Sequence, residues 1–488
     1  MQFFNSLTKQ TEEFVPNKEG KVTIYVCGLT PYDSAHIGHA RTCVSFDVIK
    51  RYLKKKGYSV FHIQNITDVD DKIIKRCKEL GADPKQLTTQ NHDEALELFD
   101  LLKIQRADLY PKVTEHIKEI IDLVKLLIKE KKAYETESGV YYSIASFSNY
   151  GNLSGQKLEE IKAGARVEVD ESKKDPGDFA LWKKTSGEII EFVSPWGTGR
   201  PGWHIECSAM ALKYARQLDI HGGARDLIFP HHENEIAQSE GATDHQFSKY
   251  WLHAGFLTVN GEKMSKSLGN FLTVKAALEK NSANALRLFY LQSHYRSPLD
   301  YSEESLNAME ESVERIFNTL GLIREALSKP NEVSMDFRSK VDKLVSQFYA
   351  KMDEDVNTPE ALAVIFSLLR LANSHTSTPS VDREALSTLL LSLEDLLSIL
   401  GLEKELGGSD LSGKVQSLQS LLNQYSEVPP RAGNSPEQMV DALIALRESY
   451  RKKKNYGTAD EIRKLLGDIG ITLEDKKDQK GKPSWKLV

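Results

Sequence analysis

Residues 21–28, KVTIYVCG, are rich in β-branched and aromatic side chains and end on a glycine, the composition of a strand and its turn. Residues 38–56 then read as a helix, and after Gly57 the stretch 58–66 is β-rich again. Strand, helix and strand in this order form a βαβ unit, whose two strands run parallel. Parallel sheets bind ligands beyond the carboxyl ends of their strands, so Cys27 and the residues after it fall on a binding edge. Further along, residues 113–200 break the pattern with a charged helix, a strand candidate at Tyr141-Tyr142 and a polar segment at 170–177, which reads as an insertion. The sheet pattern resumes at Asp219-Ile220-His221-Gly222-Gly223, a strand-end turn, and helical apolar spacing follows from Ile236.

At 488 residues the chain exceeds one hydrophobic core, so a large core with smaller domains is expected. Forty per cent hydrophobic and 27% charged residues exclude wholesale disorder. The net charge of −6 excludes nucleic-acid binding through the field of the whole molecule; any such partner is held by local basic patches. Cys27, Cys43, Cys77 and Cys207 are widely spaced and no apolar leader precedes them, which leads us to expect a reduced, cytoplasmic protein. The most apolar helical stretches, 120–128 and 386–402, are interrupted by Asp122 and Lys125 or by Glu394 and Asp395, so no membrane span is expected.

From about 303 to 402 apolar residues recur at helical spacing, as at Leu362, Ile365, Leu369 and Ala372, the pattern of a helix bundle. Gly407-Gly408-Ser409 and Pro429-Pro430-Arg431 read as linkers around a small last domain. Its helices carry capping-box signals at Ser435-Pro436-Glu437-Gln438 and Thr458-Ala459-Asp460-Glu461. The expected division is 1–112 and 203–248 for the two halves of the catalytic core, 113–202 for the insertion, 249–312 for a loop region, 313–402 for the bundle and 403–488 for the last domain. No internal repeat or low-complexity tract is present.

His36-Ile37-Gly38-His39 opens the first helix, where the backbone dipole is positive and imidazole donors suit phosphates. Gly38 between the two histidines permits close approach of a ligand. Lys263-Met264-Ser265-Lys266-Ser267 lies between Gly261 and Gly269, a loop with two ammonium groups and two hydroxyls that can close on a triphosphate. Preplaced cations stabilise the charge that develops as pyrophosphate leaves, and Lys266 is the foremost catalytic candidate. Either motif alone carries little information; both together, unbroken and in this order, resemble the signatures of class I aminoacyl-tRNA synthetases. The resemblance implies a Rossmann-type core that activates an amino acid with ATP and passes it to the terminal adenosine of a tRNA. It assigns His36, His39, Lys263 and Lys266 to catalysis, adds Gly38 and Ser265 to the ATP site, and implies magnesium with the ATP.

Two isolated cysteines and His231-His232-Glu233-Asn234-Glu235 could supply the four ligands that zinc usually takes. On a helix His231 shares a face with Glu235 at spacing four, and His232 does so at spacing three, so spacing leaves both open. Cys27 at the end of the first strand, Gly202-Trp203-His204-Ile205-Glu206-Cys207 and Pro230-His231-His232-Glu233-Asn234-Glu235 together resemble the cysteine-specific synthetases. That resemblance implies one zinc on Cys27, Cys207, His231 and Glu235, taking the substrate thiolate directly, with Gly28, Thr67, Trp203 and His221 around the amino acid. An apolar pocket separates near-isosteres by only about 1–3 kcal/mol. Rejecting serine by roughly 10⁴ needs about 5.5 kcal/mol, which thiolate ligation to zinc could supply without a separate editing domain. Cys43 and Cys77 have no partner at metal spacing and are read as structural.

The last domain interleaves positive charge with aromatics, in Arg451-Lys452-Lys453-Lys454-Asn455-Tyr456 and Gly481-Lys482-Pro483-Ser484-Trp485-Lys486. Cations that neutralise phosphates beside a ring that stacks on a base suit an anticodon loop, and Arg463 and Trp485 are the candidates. The expected partners are tRNA(Cys), ATP and L-cysteine, for a monomer. Two alternatives stand beside this reading. A related ligase joining cysteine to an amino-sugar lacks an anticodon-binding end, and a silent RNA-binding paralogue would carry damage to the motifs, which are intact.

Overall fold

The computed structural model describes residues 1–156, 172–264, 269–403, 415–425, 436–469, 471–477 and 483–487. Two compact units divide the chain, 1–402 and 403–488.

In the first unit a hairpin of β1 (Gln2–Asn5) and β2 (Gln10–Glu13) precedes β3 (Lys21–Val26), α1 (Ile37–Lys55) and β4 (Ser59–Gln64). Helices α2 (Asp71–Leu80), α3 (Pro84–Leu101) and α4 (Ile117–Lys129) lead to β5 (Ala133–Glu135), β6 (Gly139–Tyr142), β7 (Phe179–Lys184) and β8 (Gly199–Pro201). After α5 (Trp203–Tyr214) come β9 (Leu218–Ala224), α6 (Glu233–Thr243) and β10 (Ser248–Ala254). Strands β11 (Leu257–Val259) and β12 (Glu262–Lys263), helices α7 (Val274–Leu278) and α8 (Ala283–Leu291), and β13 (Leu299–Tyr301) follow. Four helices close the unit: α9 (Glu303–Ala326), α10 (Met335–Asp353), α11 (Thr358–Thr376) and α12 (Arg383–Leu400).

The central sheet has the order β10-β9-β3-β4 with every pair parallel, the βαβ architecture expected from residues 21–66. The period of two along β3 sorts its side chains between two apolar cores. Val22, Ile24 and Val26 enter one core with α1, α8 and the four closing helices, while Tyr25 enters the other, against the insertion and α5. Cys27, two residues after Tyr25, lies against this second core. The insertion is an antiparallel sheet, β5-β6-β7-β8. Buried Glu233 and Asn234 at the start of α6 pin it: the Glu233 carboxylate accepts from Gly151 N (2.9 Å) and Ser154 N (2.8 Å), and Tyr150 Oη donates to Asn234 Oδ1. Among the described residues no helix is long and apolar enough to cross a membrane.

Helix α1 is tied down by a buried charge network. Asp47 accepts from Arg51 Nε (2.9 Å) and Gln105 N (2.8 Å), and it pairs with Arg287, which also donates to Leu400 O (2.6 Å) and Leu102 O (2.9 Å). Asp47 and Arg287 are both almost wholly inaccessible, so each needs the other to offset desolvation.

The second unit contains α13 (Val415–Tyr425), α14 (Pro436–Lys452), α15 (Tyr456–Asp468) and an antiparallel pair, β14 (Ile471–Lys477) with β15 (Pro483–Leu487). Leu418, Leu422, Val440, Leu443, Ile462, Leu466 and Ile471 form its core. Its last helix corrects one expectation: the N-cap is Asn455, whose side chain accepts from Thr458 N, so Thr458 lies inside the first turn and does not cap it. Ser435 of the other expected capping box lies outside the described residues.

Candidate active site

Strand β3 ends at the carboxyl edge of the sheet, and the chain past it is held tightly. Gly28 N donates to Asn65 Oδ1 at 2.9 Å, and a Cβ on Gly28 would come within 1.7 Å of Asn65 O, so only glycine fits. Asn65 also donates to Thr67 Oγ1 (3.1 Å), and Thr67 N donates to Leu29 O (3.1 Å), joining the loops after β3 and β4 into one wall.

Cys27 on this edge meets Cys207 from α5 and residues 231–235 from the turn into α6. Cys27 Sγ lies 4.0 Å from Cys207 Sγ and 3.6 Å from Glu235 Oε1, and His231 Nε2 lies 3.1 Å from Glu235 Oε1. Ligands on a tetrahedral zinc with bonds of about 2.0–2.3 Å sit roughly 3.3–3.8 Å apart; the Cys27–Glu235 distance falls in that range and the other two within about 0.2 Å of it, so two thiols, an imidazole and a carboxylate fit the ion after a small adjustment. All four ligand atoms lie within 4.8 Å of one another. Burial, with Cys207 and Glu235 alongside, pushes the Cys27 thiol well above its usual range, and burial pushes the Glu235 carboxyl up likewise. A divalent cation is the partner that lets such a set ionise in place. Burial holds the His231 imidazole well below its usual range, with His204 and His221 adding to the effect, so it is neutral, as a ligand must be.

In a second set, Cys27, His221, His232 and Glu235, the ligand atoms are equally close, with Cys27 Sγ 3.3 Å from His232 Nε2. Its histidines, like His231 of the first set, have further partners. His221 Nε2 lies 2.8 Å from Glu235 Oε2 with its ring stacked on Trp251, and His232 Nδ1 lies 2.8 Å from His253 Nε2. His253 in turn reaches Ser6 Oγ at 2.8 Å. His231 is flanked by His204, Nδ1 to Nδ1 at 2.9 Å, and by the Trp203 ring stacked on it at 4.3 Å. Trp203, 40% exposed, is an apolar surface at the mouth of this cluster.

At the start of α1, His36 and His39 cap the helix reciprocally. His36 Nδ1 accepts from His39 N (3.3 Å), His39 Nδ1 accepts from His36 N (3.4 Å), and the rings stack at 3.5 Å. Burial, with His36 and Lys72 adding to it, holds His39 well below its usual range, hence neutral. The segment after the lysine-rich loop runs alongside: Ile37 N donates to Leu272 O (3.1 Å), Val274 N to Ala35 O (2.9 Å), and Phe271 packs edge-on to His36. A Cβ on Gly38 would come 3.7 Å from Met264 Cε, so the two motifs meet in space. Lys263 is exposed on β12, whereas Ser265 and Lys266 lie outside the described residues.

In the second unit Arg463 is exposed on α15, near the also exposed Arg451, Lys452, Lys453, Lys454 and Tyr456 in sequence. Trp485 stands on β15 opposite Leu473.

Sequence reading left out several residues that the structure brings to the site. Tyr25 could have been found from the period of two, being two before Cys27 on one face. His204 lay inside a quoted motif. Asn65 and His253 act through contacts tens of residues away or more, and no local signal marks them.

Comparison with known proteins gives two family matches: the tRNA synthetases class I (C) catalytic domain over residues 13–311, and the DALR domain over 347–404. The chain is 46% identical over 482 residues to a cysteine-tRNA ligase of Thermococcus onnurineus strain NA1, covering 97% of each chain. It is 45% identical over 484 residues to that of Carboxydothermus hydrogenoformans, covering 97% of this chain and 98% of the relative. Among solved structures, Mycobacterium tuberculosis methionyl-tRNA synthetase in complex with methionyl-adenylate superposes with a TM-score of 0.59 at 16% identity, over 87% of this chain and 94% of that one. The Agrobacterium radiobacter K84 LeuRS of a ternary complex does so at 0.56 and 12% identity, over 80% and 86%. These two likenesses concern the fold.

Proposed function

We propose, for a chain that belongs to the cysteine-tRNA ligase family of class I synthetases, that it activates L-cysteine with ATP and transfers it to the 3′ adenosine of tRNA(Cys). A cysteine carboxylate oxygen attacks the α-phosphorus, pyrophosphate leaves, and a ribose hydroxyl of the tRNA then displaces AMP from the carbonyl carbon. The observation that carries this reading is the meeting of Cys27, Cys207, His231 and Glu235, from three separate elements, at the carboxyl edge of β3.

We assign one zinc ion to Cys27, Cys207, His231 and Glu235. There it would supply a soft partner for the substrate thiolate that the hydroxyl of serine cannot match. Around it Trp203 closes the side-chain pocket and holds His231 by stacking, and His221 holds the second oxygen of Glu235. Gly28 and Thr67 form the wall against the substrate's main chain. His36 and neutral His39 donate toward phosphates at the positive end of α1, and Gly38 leaves room for the nucleotide. Lys263, Ser265 and Lys266 supply charge and hydroxyls to the departing pyrophosphate, with magnesium arriving on ATP. Arg463 and Trp485 are the residues we assign to anticodon contact. Four widely spaced cysteines suit a cytoplasmic enzyme, and we read it as a monomer.

The test is ATP-pyrophosphate exchange with L-cysteine against L-serine, zinc being assayed on the same sample. Exchange with cysteine and background with serine is the expected result. A folded, zinc-loaded sample with no cysteine-dependent exchange would overturn it. Charging of tRNA(Cys) then separates this reading from ligation to an amino-sugar.

A further inference from the structure

Between α10 and α11, Asp355 and Val356 are consecutive non-glycine residues in the left-handed region, with φ of 55° and 52°. A β-branched residue there is a steric outlier, and such strain persists only where the surroundings over-determine it. Both residues are buried, at 5% and 2% exposure. The conformation turns the Asp355 carboxylate into a hub. Oδ1 accepts from Phe4 N (2.9 Å) and Tyr295 Oη (2.8 Å); Oδ2 accepts from Arg296 Nε (2.6 Å) and lies 3.6 Å from His294 Nε2. Arg296 is further held over the Phe4 ring at 4.3 Å, and Asp355 N donates to Gln2 O (3.1 Å).

Residues 294–301, which this hub grips, act as a rail. Tyr295 O accepts from Gly255 N (2.7 Å), Leu299 N donates to Phe256 O (2.9 Å), and β13 pairs in parallel with β11. β11 pairs antiparallel with β12, which ends at Lys263. A Cβ on Gly255 would come within 2.2 Å of Ser297 O, so the rail and the strand pair are in closest contact there. The rail also takes hold of α1: buried Arg41, two residues past His39, donates to both Ser297 O and Phe256 O. Both nucleotide-handling elements are therefore fastened to one segment, and Asp355 fastens that segment to the helices.

We propose that Asp355 is a positioning residue for ATP: by gripping Tyr295 and Arg296 it sets the placement of the strand pair that delivers Lys263 relative to the helix that carries His36 and His39. This role rests on the function proposed above, and it predicts a selective effect on one substrate.

The experiment compares full-length, zinc-loaded parent, D355N, R296M, their double variant and L389A in cysteine-dependent ATP-pyrophosphate exchange, with melting temperatures measured alongside. Leu389 is fully buried in α12 and serves as a control for loss of stability alone. D355N and R296M are each expected to raise KM for ATP at least fivefold, with KM for cysteine and zinc content within twofold of the parent. The double variant should be no worse than the more affected single one, because both break one interaction. L389A should lower the melting temperature while leaving KM for ATP within twofold. Unchanged KM for ATP in D355N, or equal rises for both substrates, would overturn the role; should D355N fail to fold, the same criteria apply to R296M. A parent that shows no cysteine-dependent exchange would instead overturn the functional reading on which the role rests.

Discussion

Glu235 and His221 meet through Oε2 and Nε2 at 2.8 Å, which leaves Oε1 of the same carboxylate facing His231 and Cys27. One oxygen is thus held by a side chain outside the assigned ligand set, and the other is aimed into it. Partners of this kind typically contribute 10–100-fold in metal affinity. H221A is expected to lose zinc about 10–100-fold more readily in chelator competition. Retention equal to the parent would show that the carboxylate needs no orienter.

Cys207 is expected to govern metal content and selectivity together. C207S should lower the zinc bound per chain and should narrow the preference for cysteine over serine in pyrophosphate exchange. Full zinc stoichiometry with parent selectivity would remove Cys207 from the ligand set.

Lys266 is expected to act on the transition state more than on the bound amino acid. Removing one preorganised donor of this kind costs about 10²–10³ in rate. K266A should slow adenylate formation by about 10² with KM for cysteine little changed. Equal losses in both would assign it to ground-state binding.

At Gly28 the margin is steric. The 1.7 Å approach of an added Cβ to Asn65 O is a backbone clash that no rotamer relieves. G28A should raise KM for cysteine at least tenfold, a loss of about 1.4 kcal/mol in binding, as the wall formed with Thr67 is displaced. Steady-state exchange against cysteine concentration measures it.

The Asp47 network predicts a pH signature. Burial would raise this carboxyl, but Arg287, Arg51 and the Gln105 amide together hold it below its usual value. Because the folded group titrates below its unfolded value, its stabilisation is present above about pH 4 and is lost as the pH falls through the folded value. D47N should cost about 3–5 kcal/mol at neutral pH by leaving Arg287 buried without its countercharge. The gap in melting temperature between parent and variant should narrow below about pH 4.

The parts of this fold that were legible in sequence are those written in local periodicity. Residues 21–66 announce strand, helix and strand, and the period of two that puts Tyr25 and Cys27 on one face was available from the same stretch. The class of the metal candidates was legible too, but the choice between His231 and His232 was not. Both reach Glu235 Oε1, His231 Nε2 at 3.1 Å from spacing four and His232 Nε2 at 3.9 Å from spacing three, so spacing does not separate them. His36 and His39 were read as ligand donors, and the structure adds a second use: one nitrogen of each caps α1. The Asp355 hub was invisible because its partners stand 351 residues away at Phe4 and about 60 away at Tyr295 and Arg296. Asn455 was missed as a cap because Thr458 and Glu461 offered a better-known pattern three residues later.

The sheet order β10-β9-β3-β4 also has a consequence for the making of the protein. β3 must wait for β9, and Cys27 must wait 208 residues for Glu235. At about 5–20 residues per second, a ribosome takes roughly 10–40 s to supply the missing half. During that interval the nascent chain exposes one edge of β3 and a thiol without its partners. The insertion is synthesised inside the interval, so its local antiparallel sheet can fold first and bring the two halves of the core toward each other.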